Sequence, residues 1–194
     1  MKHKFIFLVF LTIILMPVTA QTYSSVITDR EIYDFMNWMV KNDKKTEKEI
    51  FGKSRKASNK MALWDKSNFV TNNKSNDIQY FEQDNKYLFK RSNEGLDTLF
   101  TQADKSFLLE QYAAINSSVW KKGFSGKKIE KKDVVEDSDL DQYSIPMFTL
   151  DKEFVIIYKV FYCGYGCAFG KYYLYKFIGD KKWKFVTAVN QWTT

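Results

Sequence analysis

Residues Glu153 to Trp192 read EFVIIYKVFYCGYGCAFGKYYLYKFIGDKKWKFVTAVNQW. Val, Ile, Tyr, Phe and Trp crowd this stretch, and it is interrupted at Gly164-Tyr165-Gly166 and at Gly179-Asp180-Lys181-Lys182. Branched and aromatic side chains suit a pleated surface, while glycine and aspartate let the chain reverse. The pattern predicts an antiparallel meander with strands near 153–162, 169–178 and 183–192. Pro146 to Leu150 adds a short edge strand.

The first reversal fixes the register. If Gly164-Tyr165-Gly166 is a three-residue loop, Cys163 faces Cys167. Directly opposed residues lie about 4.5 Å apart at Cα, a span that a disulfide accepts. These are the only two cysteines of the chain, and a local disulfide is the expected state. It closes a very short loop, so it should fix the hairpin tip without holding the domain together. Redox cycling of the pair is the sharper alternative, although the usual redox spacing is Cys-x-x-Cys before a helix. Two thiolates are too few for a metal site.

The same register separates two faces. Phe154, Ile156, Tyr158, Val160 and Tyr162 share one face with Tyr172 and Leu174, and this face is expected to pack under the helices. The opposite face places Lys159 against Lys171, flanked by Phe161, Phe169, Tyr173 and Tyr175. Like charges directly opposed cost stability unless an anion or acidic side chain answers them. With Tyr165 at the hairpin tip, this second face is the candidate ligand surface, suited to a glycan or a partner protein. Thirteen of the 39 residues from Phe154 to Trp192 are aromatic, against 18% in the whole chain, and a covered core would use them equally well.

Upstream the pattern is helical. In TDREIYDFMNWMVKND, Thr28 and Glu31 have capping-box spacing, and Ile32, Phe35, Met36, Met39 and Val40 recur at helical intervals. Thr101 and Asp104 repeat the box ahead of Phe107, Leu108, Tyr112 and Ile115. Residues 43–76, rich in Lys and Asn, read as loop with short elements. Residues 77–95 lean towards helix, since Ile78, Phe81, Asn85 and Leu88 fit one face. Lys121 to Gln142 reads as an exposed connection. The expected fold class is α+β, with N-terminal helices (about 28–120) packed on a C-terminal antiparallel β-meander (about 145–193) of three to four strands.

The chain opens MKHKFIFLVFLTIILMPVTA, with Lys2, His3 and Lys4 ahead of an apolar run and then small residues. This is the pattern of a secretory signal peptide spanning residues 1–20. Cleavage after Ala20 would leave a single domain at 21–194 without a membrane span and lower the formal charge from +7 to +5. The chain is expected to be secreted or periplasmic. The only histidine of the chain is His3, so cleavage would also remove every imidazole. Ser-His-Asp and Cys-His mechanisms and His-ligated zinc go with it.

No motif for nucleic acid or for a cofactor is present. Glu136, Asp137, Asp139 and Asp141 imitate the start of a calcium loop. Gln142 and Phe148 then stand where glycine and glutamate are required, so the cluster reads as a solvated turn. A pair of carboxylates in an envelope hydrolase is the enzymatic alternative, with no residues to name for it.

The C-terminal third carries Ser144, Pro146, Phe148, Thr149 and Asp151, then Cys163, Gly164, Gly166, Cys167 and Gly170, then Lys182, Trp183 and Trp192. In these features it resembles small exported bacterial proteins of uncharacterised function. The resemblance covers about fifty residues and implies export and a β-rich tail, with no activity attached. The expected function is a non-enzymatic binding or envelope-associated domain.

Overall fold

The computed structural model describes residues 22–51, 55–64, 99–124, 129–130, 140–164 and 166–193, including their side chains except those of 44–51, 130 and 190–193. The leader at 1–20, the expected helix at 77–95, Tyr165, Glu136, Asp137 and Asp139 lie outside the described residues.

The elements in chain order are α1 (Asp29–Phe51), β1 (Lys56–Ser58), α2 (Gln102–Ala113), β2 (Ile129–Glu130), β3 (Leu140–Tyr143), β4 (Met147–Phe148), β5 (Phe154–Gly164), β6 (Cys167–Gly179) and β7 (Lys182–Thr193). This is a mixed α+β fold. α1 begins where Thr28 caps it, its backbone N–H and hydroxyl both donating to Glu31. The Ile32, Phe35, Met36, Met39 and Val40 stripe is buried. The helix runs eight residues past the expected end at Asp43. Lys44 to Phe51 is lysine- and glutamate-rich, and these residues propagate a helix once it has started. α2 carries the complete Thr101/Asp104 capping box. Burial raises the Asp104 pKa, but hydrogen bonds from Thr101 and from the Leu150 N–H outweigh it and hold the carboxyl below 3.8.

The sheet is larger than the expected meander. Among the described residues it has seven strands in the order β2-β1-β3-β5-β6-β7, with β4 also paired to β5. It is also not wholly antiparallel, because β1 runs parallel to both β2 and β3. Strands of two to four residues are too short to show periodicity, which is why β1, β2 and β3 were hidden in segments that read as loop and exposed connection. β5, β6 and β7 form the antiparallel part, and Lys159 pairs with Lys171 and Phe161 with Phe169, as the register predicted. Asp180 and Lys181 turn β6 into β7 with both residues at positive φ, the geometry of a type I′ turn whose twist matches the strands it joins.

The assignment of faces is corrected. α1 lies on the Lys159 side of the sheet. Phe35 packs edge-on against Phe148, Tyr175 and Trp183, and Trp38 meets Tyr175 and Trp183. The other face, expected under the helices, is met by Trp64 over Tyr172 and by Phe100 against Phe154. Both faces of β5 are therefore covered over much of their length, which accounts for its almost continuous apolar sequence.

Candidate functional site

Beyond the part of the sheet that Phe35 and Trp38 cover, the α1 face becomes polar. Asp43 reaches Lys159, with Nζ to Oδ2 at 2.9 Å. Asp141 on β3 approaches the same ammonium at 3.7 Å and the Arg55 guanidinium at 3.3 Å. The Tyr143 hydroxyl donates to the second Asp141 oxygen at 3.1 Å. Asp141 is fully buried, and Lys159 keeps 12% of its side-chain surface.

This corrects the reading of Asp141 as part of a solvated turn. β3 carries it between β1 and β5, where Arg55 and Lys159 meet its charge. It also answers the opposition of the two lysines, because Asp43 and Asp141 neutralise Lys159. Breaking such a buried pair strands a charge in a low-dielectric interior, so its members are held together whatever their net contribution. Lys171 is half-buried, and among the described residues no carboxylate pairs with it.

Towards the hairpin tip the tract turns aromatic. Phe161 and Phe169 sit edge to face with ring centroids 4.9 Å apart, and the Arg55 guanidinium lies 4.1 Å from the Phe161 centroid. Both rings are half-buried, as is Tyr173. Burial, as the largest cause, raises the Tyr173 pKa, with the nearby Lys159 opposing. Phe185 on β7 extends the strip past Tyr173 and Tyr175 and is half exposed. The disulfide Cys163–Cys167 closes the tip with a Cα separation of 5.2 Å, and the ladder slips by one residue there so that Gly164 pairs with Cys167.

The structure thus brings Lys159, Phe161, Phe169, Lys171 and Tyr173 onto one strip, with the two cysteines at its end. Sequence reasoning missed Arg55, Asp43, Asp141 and Phe185. Arg55 and Asp141 are 86 positions apart and meet only because β1 inserts beside β3. Phe185 was findable, since its register partner is Tyr175. As a pair, Asp43 and Asp141 are built to hold cations. Both are engaged, and one is inaccessible, whereas a general acid must reach its substrate.

Among the described residues no helix is long and apolar enough to cross a membrane. Comparison of the chain with protein-family models, with curated proteins and with solved structures finds no match in any of the three.

Proposed function

We propose that this chain is an exported, non-enzymatic binding domain and that the strip beside the cysteine hairpin takes an envelope glycan. The observation that carries the reading is the Phe161/Phe169 pair, partly open to solvent and backed by Arg55, with Lys171 two residues along the strand. Aromatic surface of this kind offers ring faces to a sugar polymer, and Lys171, which no carboxylate pairs with among the described residues, favours an acidic one. Lys159 is better seen as the support of the strip than as its contact, since two carboxylates already hold it. The disulfide supports the reading through its place, because it fixes the end of the strip and disulfides persist in oxidising compartments. Export rests on the leader sequence and on the resemblance of the C-terminal third.

Affinity electrophoresis through gels containing acidic and neutral envelope polysaccharides tests this. Retardation that Phe161→Ala with Phe169→Ala abolishes and Lys171→Glu weakens is the expected result. If the wild-type chain runs unretarded in every gel yet is captured by an exported protein through the same residues, the ligand is a protein and the glycan reading fails.

A further inference from the structure

A second, separate site lies on the flank of α1 away from the aromatic strip. Arg30, Tyr33 and Asn37 recur at i, i+3 and i+7 and so share a helical face. Across a gap they meet Lys121, Lys122 and Gly123, and the cavity between them measures about 440 Å³. This falls in the size range of small-molecule pockets.

Three cations border it: Arg30, Lys121 and Lys122. Among the described residues none of the three is in an ion pair. Its single carboxylate, Asp29, is already used. The two oxygens of Asp29 accept the Thr22 N–H at 3.0 and 3.1 Å, and one also accepts the Tyr23 N–H at 3.2 Å. Three positive groups facing a common gap repel one another, and an anion in the gap reverses that cost.

The wall is rigid. The Tyr23 and Tyr33 hydroxyls share a hydrogen bond of 2.7 Å, Tyr33 donates to the Lys122 carbonyl at 3.2 Å, and the Lys121 N–H donates to the Tyr23 hydroxyl at 2.9 Å. The Tyr33 ring is clamped by Tyr23, Trp120 and Phe124 at centroid distances of 5.7 to 6.2 Å. The backbone that carries the two lysines is therefore tied to the helix face that carries Arg30. Little ordering is left for a ligand to impose, which favours affinity.

We infer that this cavity binds a small polar ring bearing an anionic group, a carboxylate or a phosphate. The cations take the charge, and the tyrosine wall takes the ring. The site shares no residue with the hairpin strip and does not depend on its function.

Isothermal titration of the full chain with glucuronate, glucose 6-phosphate and glucose tests the inference. At least one anionic sugar should bind in the millimolar range or tighter, glucose about ten-fold more weakly or not at all, and binding should weaken as salt shortens the Debye length. Which anionic sugar binds more tightly decides between carboxylate and phosphate. Lys121→Glu with Lys122→Glu should abolish binding while leaving circular dichroism unchanged and without lowering the melting temperature, because both side chains are exposed and their repulsion with Arg30 is removed. Phe161→Ala with Phe169→Ala should leave it intact. Equal binding of glucose, survival of binding in the charge-reversed variant, or no heat from either anionic sugar would each overturn the inference.

Discussion

The two flanks of α1 carry charge in opposite ways. On one, Glu31 and Asp34 each receive a lysine from a turn: Lys152 ahead of β5 meets Glu31, and Lys181 between β6 and β7 meets Asp34. Beneath these pairs lies a cavity of about 260 Å³ floored by Phe148, Phe177 and Trp183. On the other flank, Arg30 faces Lys121 and Lys122, and among the described residues no carboxylate forms an ion pair with any of the three. Opposite charges across an exposed gap make a seam, each pair contributing little but all pointing one way. Like charges across a gap oppose folding and make sense only if something outside the chain completes them. The difference separates fastening from recognition.

The largest effect should come from the ridge between the flanks. Phe35 is fully buried against Phe148, Tyr175 and Trp183. Phe35→Ala is expected to cost about 3–5 kcal/mol, read as a shift in urea midpoint. A loss below about 1 kcal/mol would mean that the charged seams, and not the aromatic ridge, hold α1. Asp141→Ala should be of similar size, about 3–5 kcal/mol, because it leaves Arg55 and Lys159 facing an emptied interior site. A neutral outcome would show that these cations reach water readily and that the network is another seam.

Replacing both cysteines by serine comes next. The closed loop is short, so the entropic cost is about 2 kcal/mol, felt at the hairpin tip and not as global unfolding. Hydrogen exchange confined to residues near 160–170 would support this, whereas loss of the whole sheet would make the disulfide a global constraint.

The smallest effects belong to the acidic flank. Lys152→Ala and Lys181→Ala should each cost less than about 1 kcal/mol, and less again at high salt. The seam also has a pH signature. Burial raises the Glu31 pKa, but hydrogen bonds from Lys152 and Thr28 outweigh it, so the folded value lies below 4.5. A depressed carboxylate contributes stability above its unfolded pKa and loses it as pH falls through the folded value. The seam should therefore loosen below about pH 4.5, and Glu31→Gln should flatten that part of the stability profile. An unchanged profile in the variant would assign the acid sensitivity to Asp104, whose carboxyl is held low in the same way.

Much of the hairpin register was legible in the sequence, because two cysteines around Gly-Tyr-Gly leave few ways to pair β5 with β6. Which face meets α1 was not. Val155 and Ile157 are as apolar as Phe154 and Ile156, so alternation marks two faces without ranking them. Asp141 was misread because its acidic neighbours in VVEDSDLDQ suggest solvent, while its partners Arg55 and Lys159 lie far off in the chain. Gln111 is a polar residue that no apolar pattern of the helix marks. It is buried and exchanges two hydrogen bonds with the Phe148 backbone, at 2.7 and 2.9 Å, tying α2 to β4. The basic cavity joins residues 91 positions apart, at Arg30 and Lys121, and no local pattern announces such a meeting.

The insertion of β1 between β2 and β3 has a consequence for the order of events in folding. β5, β6 and β7 are joined by tight hairpins and can zip together locally, within microseconds for such elements. β1 lies early in the chain, but both of its neighbours, at Ile129–Glu130 and Leu140–Tyr143, come more than 70 residues later. It can join the sheet only once β3 is in place, and β2, at the edge beyond it, only after that, so the closure of that long loop is entropically late. Arg55 then arrives with β1, so Asp141 gains one of its two cations only when β1 docks. The sheet is expected to grow outward from its C-terminal hairpins, with the N-terminal strand as the stave on which the edge strand β2 has to wait.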